Sequence, residues 1–75
     1  MALMLRLNGS EREFAGLEAG ANLAMVIAEL GLKADRVAVE WNGEIAPRDT
    51  WGSAQVASGD KLEVVHFVGG GLDAT

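Results

Sequence analysis

Cysteine is absent from all 75 residues. That excludes a disulfide scaffold, a thiolate metal site and a cysteine nucleophile. Histidine occurs once, at His66 in an apolar segment. A lone histidine in such a strand packs or faces water more often than it serves as a base or ligand. Basic residues are scarce: 6 Lys and Arg stand against 11 Asp and Glu, a formal charge of −5. Such a surface repels phosphate backbones, which argues against a nucleic-acid partner. It suits a basic protein surface, and an acidic balance also serves solubility. Long apolar runs are missing too. None approaches the roughly 20 residues of a membrane span. Leu3-Met4-Leu5-Arg6-Leu7, just after Met1, is too short for a secretory signal core. The expected setting is the cytoplasm, with no membrane partner.

The ingredients of an active site are equally thin. A metal site needs several convergent ligands, and the carboxylates here are scattered over predicted outer faces. Ser10, Ser53 and Ser58 fall in turns with no histidine near them in sequence. Gly69-Gly70-Gly71 is not a phosphate loop, because no helix follows it and no Lys-Ser/Thr pair is present. The chain is expected not to be an enzyme by itself.

What is present is a clear alternation of short elements. Leu3, Leu5 and Leu7 alternate with Met4 and Arg6, the pattern of a strand with one buried face. Asn8-Gly9 is a tight hairpin signal, since both residues tolerate positive φ. A second strand is expected over about 11–15, with Phe14 in the core. Residues 16–21 connect it to a helix capped by Asn22. On that helix Leu23, Val26, Ile27 and Leu30 form one apolar face. Gly31 stands at the left-handed C-cap, and Met25 lies off the apolar face. Val37, Val39 and Trp41 mark a third strand, and Asn42-Gly43 a second tight turn. Glu44-Ile45-Ala46 is a short extended piece that Pro47 prevents from being a central strand. Arg48 to Trp51 reads as a helical turn that tucks Trp51 onto the core. Residues 58–60 form a turn, and Lys61 to Val68 the last strand.

This order predicts an α+β fold of β-grasp (ubiquitin-like) type: a mixed sheet of four to five strands packed on one main helix. The first and last strands should lie parallel at its centre. They are the most continuous apolar runs, as expected for buried parallel strands. Residues 1–68 form the domain, and 69–75 a flexible glycine-rich tail. Three glycines directly after a strand make an arm, because glycine loses the most backbone freedom on ordering. Such an arm reaches roughly 3.3–3.6 Å per residue, enough to carry a terminal carboxylate into a partner's deep site. If Leu62 and Val64 face the helix, Val65 and Phe67 face outward as a docking patch. Glu63 beside them would set orientation more than affinity.

Two segments carry a family resemblance. Val39-Glu40-Trp41-Asn42-Gly43-Glu44-Ile45-Ala46-Pro47-Arg48-Asp49-Thr50-Trp51 resembles the V-x-x-N-x-x-I-V-P-R-x-x-W segment of the thiamin-biosynthesis sulfur carriers, the ThiS family. The run from Gly59-Asp60-Lys61-Leu62-Glu63 to Phe67-Val68-Gly69-Gly70-Gly71 is similar to that family's terminus. The resemblance covers 4–71. It implies that the carboxylate of Gly71, on an arm with Gly69 and Gly70, is adenylated by an E1-like (ThiF-like) enzyme that uses ATP and Mg. A persulfide sulfur donor would convert the adenylate to a thiocarboxylate, and a thiazole synthase (ThiG-like) would take up the sulfur. No cofactor would be bound by the carrier itself.

One departure matters. The family's chains normally end at the glycines, whereas Leu72-Asp73-Ala74-Thr75 follow here. Gly71 then has a peptide bond where the reactive carboxylate should be. A trimming protease, an artefact, or loss of the carrier function each accounts for it. Other readings also stay open: a carrier for molybdopterin or another sulfur-containing metabolite, and a β-grasp module that binds without using its terminus.

Overall fold

In the computed structural model, which describes residues 2–66, five strands and one α-helix are formed. β1 (Leu3–Leu7) and β2 (Ser10–Phe14) form an antiparallel hairpin. Asn8 and Gly9 turn it with φ of 51° and 86°. Positive φ at both central positions gives a turn whose twist matches the flanking strands. The helix α1 (Leu23–Glu29) follows, then β3 (Val37–Trp41), β4 (Glu44–Ile45) and β5 (Lys61–His66). Two 3-10 turns, Ala34–Arg36 and Arg48–Ser53, complete the order.

The helix ends are specified by side chains read off the sequence. The Asn22 carboxamide oxygen accepts from the Met25 amide at 2.9 Å. At the other end Gly31 adopts φ 76°. Its amide donates to Ala28, and that of Leu32 to Ile27. This pair of bonds satisfies two carbonyls the helix would otherwise leave open. Between these caps Leu23, Val26 and Ile27 are buried while Met25 is exposed.

The sheet order is β2-β1-β5-β3-β4. β5 runs parallel to β1 and antiparallel to β3, so the last strand lies at the centre, the β-grasp arrangement. Leu3, Leu5, Phe14, Val37, Val39 and Leu62 point from the sheet towards α1 and share one core with it. Trp51 joins that core and donates its indole N–H to the Ala46 carbonyl at 2.8 Å. A buried indole with its polar atom paired adds packing area without an unpaired donor.

Two expectations change. β2 covers Ser10–Phe14, one residue earlier than the expected 11–15, because the two-residue turn pairs Leu7 with Ser10. β1 and β5 are buried on one face only. The single helix covers one side of the sheet, so their continuous apolar runs leave Met4 and Val65 exposed. The segment before β5, on which the sequence reading was silent, carries buried Ala54 and Val56 and an Asn22–Gln55 bridge. The described part of β5 ends at His66. Phe67, Val68 and the proposed tail 69–75 lie outside the described residues, and with them the 68/69 domain boundary.

Candidate functional site

The open face of the sheet follows from strand parity. Successive side chains alternate between faces, so Lys61, Glu63 and Val65 share the side away from α1. The ladder register places Ala38 opposite Val65, Glu40 opposite Glu63, and Ile45 opposite Glu40. These residues line a shallow concavity of about 300 Å³ on the outer face. Val65 is 60% and Ile45 67% exposed, too much for side chains that contribute to this protein's own core.

Val65 and Glu63 both lie on this outer face. Phe67, the second apolar docking residue, lies outside the described residues, as do Gly69, Gly70 and Gly71. Ile45 is the residue the sequence reading missed. Its signal was present: a large aliphatic in a two-residue edge strand pinned by Pro47 has no second layer to cover it. Glu40 and Glu63 are directly opposed across the ladder, a placement that is mildly destabilising for like charges. The face is apolar at Val65 and Ile45 and acidic between them.

β5 is held most firmly where it begins. The Asp60 carboxylate accepts from the Trp41 indole N–H and from the Ala57 amide, both at 2.9 Å. Partial burial acts to raise the Asp60 carboxyl. The Ala57 amide, the Trp41 indole and the Asn42 side chain outweigh it and hold the group below its usual value. Asn42 also accepts from the Lys61 amide at 2.9 Å, and its own amide donates to the Lys61 carbonyl at 2.8 Å.

Among the described residues no three His, Asp or Glu side chains converge as a metal site, and no helix is long and apolar enough to cross a membrane. His66 is exposed at the end of β5, paired with Val37.

Comparison with known proteins agrees with this architecture. A crystal structure of the thiamine biosynthesis protein ThiS from Geobacter metallireducens superposes with a TM-score of 0.77 at 33% identity, covering 92% of this chain and 100% of that one. A solution structure of a thiamine biosynthesis protein from the same organism gives 0.78 at 33% identity, over 92% and 88% of the two chains. Among curated proteins, a thiazole synthase of Paramagnetospirillum magneticum is 42% identical over 71 residues. A thiazole synthase of Magnetococcus marinus is 38% identical over 69 residues. The chain spans about a fifth of those two relatives, 21% and 20% of their lengths. The ThiS family model matches residues 5–71, and this chain belongs to the ThiS family.

Proposed function

We propose that the protein is a sulfur carrier of thiamin biosynthesis and that Gly71 is its reacting residue. The observation that carries this is the extent of the family match, which runs from residue 5 to residue 71 and stops before Leu72. In the working form the Gly71 carboxylate attacks ATP on an E1-like, ThiF-like enzyme, with Mg at the phosphates, and pyrophosphate leaves. The outer sulfur of a persulfide donor then displaces AMP from the acyl-adenylate to form an acyl disulfide. A thiol reductant cleaves its S–S bond, itself ending in a disulfide with the donor thiol. The thiocarboxylate so released delivers its sulfur to a ThiG-like thiazole synthase. Two relatives that bear the name thiazole synthase support the last partner.

The carrier's own contribution is steric and positional. A glycine carbonyl has no Cβ to block attack, and Gly69 and Gly70 let the arm thread a narrow channel. Val65 and Ile45 supply apolar contact area on the open sheet face, with Phe67 as a further docking residue. Glu63 and Glu40 favour a basic partner surface and steer its approach. All catalytic groups come from the partners.

The sequence as written continues through Leu72-Asp73-Ala74-Thr75, so this reading requires that the working form end at Gly71, as hydrolysis by a trimming protease would produce. Intact-mass analysis of the protein isolated from cells tests it. The expected spectrum contains a species ending at Gly71 and a second one heavier by exchange of one oxygen for sulfur. Deleting Gly70 and Gly71 should abolish both ATP-dependent activation and thiazole formation. A Gly71-ended protein that stays inert with ATP, Mg and the activating enzyme removes the carrier reading.

A further inference from the structure

Asn8 does more than turn the β1–β2 hairpin. Its amide donates to the Leu62 carbonyl at 2.9 Å, continuing the parallel β1–β5 ladder. At the next rung the main chain of β1 has already turned away into Gly9. The Asn8 side chain takes its place. Its carboxamide oxygen accepts from the Val64 amide at 2.7 Å, and its carboxamide nitrogen donates to the Val64 carbonyl at 3.2 Å. Both main-chain groups of Val64 are thus held by one side chain 56 positions earlier in sequence. Only a primary amide offers a donor and an acceptor side by side in this way.

The placement matters because of where Val64 lies. Six residues lie between it and Gly71, and Val64 is the last residue of β5 for which a bond from the β1 side is found among the described residues. Past this point β5 keeps only its pairing to β3, through Ala38 with Val65 and Val37 with His66. A strand end held along one edge frays more readily than one held along both.

We propose that Asn8 is a positioning residue for the reacting arm: its side-chain amide closes the last rung between β1 and β5 and so sets the direction in which β5 leads towards Gly71. This rests on the carrier reading above. Asn8 touches no reacting atom. It limits the orientations the arm samples while the sheet face is docked, so its loss weakens productive engagement without changing the chemistry that follows.

Asn8→Gly separates this role from turn formation. Glycine accepts positive φ at least as well as asparagine, so the hairpin survives while the clamp is removed. Asn42→Gly is the matched control at the other Asn-Gly turn. Two measurements decide. The first is amide exchange by NMR on the full 75-residue chain. In Asn8→Gly the Val64 amide should exchange roughly 5- to 10-fold faster relative to Lys61, the change expected for losing one typical hydrogen bond. In Asn42→Gly the order reverses. The second is ATP–pyrophosphate exchange by the activating enzyme with chains ending at Gly71, at a temperature where all variants are folded. Asn8→Gly should raise KM for the carrier roughly 3- to 10-fold with kcat within about twofold, and Asn42→Gly should leave both near wild type.

The inference is overturned if Asn8→Gly matches wild type in KM, or if Asn42→Gly raises KM equally, since global loosening would then explain the effect. A wild-type Gly71-ended chain that is never activated removes the carrier reading and this role with it. The exchange pattern would still report the clamp, so the two failures are told apart.

Discussion

Asn8-Gly9 and Asn42-Gly43 turn the chain with nearly the same backbone, φ of 51° and 86° at the first and 53° and 89° at the second. Each asparagine also reaches sideways and grips β5. Their surroundings differ. At the start of β5, Asn42 shares the load with the Asp60 carboxylate, its Trp41 and Ala57 donors, and the Arg6 amide bonded to the Asp60 carbonyl. At Val64 the Asn8 carboxamide stands alone on its side of the strand. The same dipeptide thus serves a redundantly braced corner and a single clasp. The difference teaches that the strand is anchored where it joins the core and lightly guided where it leaves.

The largest test of this contrast is to remove the bracing. Asp60→Ala deletes the acceptor shared by the Trp41 indole and the Ala57 amide. Hydrogen bonds to a charged group contribute about 1.5–3 kcal/mol, so chemical denaturation should show a loss of about 2–3 kcal/mol. A loss below about 0.5 kcal/mol would mean that the corner's stability comes from Asn42 and packing alone, and the asymmetry between the two ends of β5 would disappear.

A second test asks whether the turns are equivalent as turns. A Cβ added at Gly9 or at Gly43 meets nothing within 4 Å, so Gly9→Ala and Gly43→Ala report backbone cost with no clash. Placing an L side chain in the left-handed region costs about 1–2 kcal/mol. The two variants should lose about the same stability by urea unfolding. A gap well above the ~0.5 kcal/mol scatter of independent substitutions would show that one turn is strained by its grip on β5, and the comparison would have to start from the backbone.

The turns themselves were legible in the sequence, because Asn-Gly between alternating runs has a local physical cause. So were α1 with both of its caps, the inward-facing core of β1, β3 and β5, and the parallel central pair. What could not be read was any bond that depends on register between distant strands. Nothing local in Asn8 points to Val64. A glycine or aspartate would have given the same hairpin reading, and only the crossing of β5 beside β1 makes the carboxamide specific. Ile45 differs: its signal was present in the sequence and was missed. Its exposure follows from lying at the sheet's edge opposite Glu40, on the face that α1 does not cover. The arm reading falls outside the described residues; the family match ends on the last of its three glycines.

The smallest expected effect uses acid to loosen one end of β5 and not the other. Asp60 is held below its usual value of 3.8 by its donors, against the opposing influence of burial. A carboxyl depressed in the folded state contributes stability that is fully present above its unfolded value and is lost as pH falls through its folded value. The Asn8–Val64 clasp contains no titrating group. Lowering the pH from about 5 towards 2 should therefore shift the Trp41 indole N–H resonance and speed exchange at Lys61, corrected for intrinsic rates, while Val64 changes less. The informative quantity is the difference between wild type and Asp60→Asn. That difference in unfolding free energy should favour wild type above about pH 4 and shrink below it. A difference that stays constant across the range would assign the Asp60 contribution to shape and not to charge. Parallel acceleration at Lys61 and Val64 would show that β5 opens as one unit, and the contrast between its two ends would then lie in bond count alone.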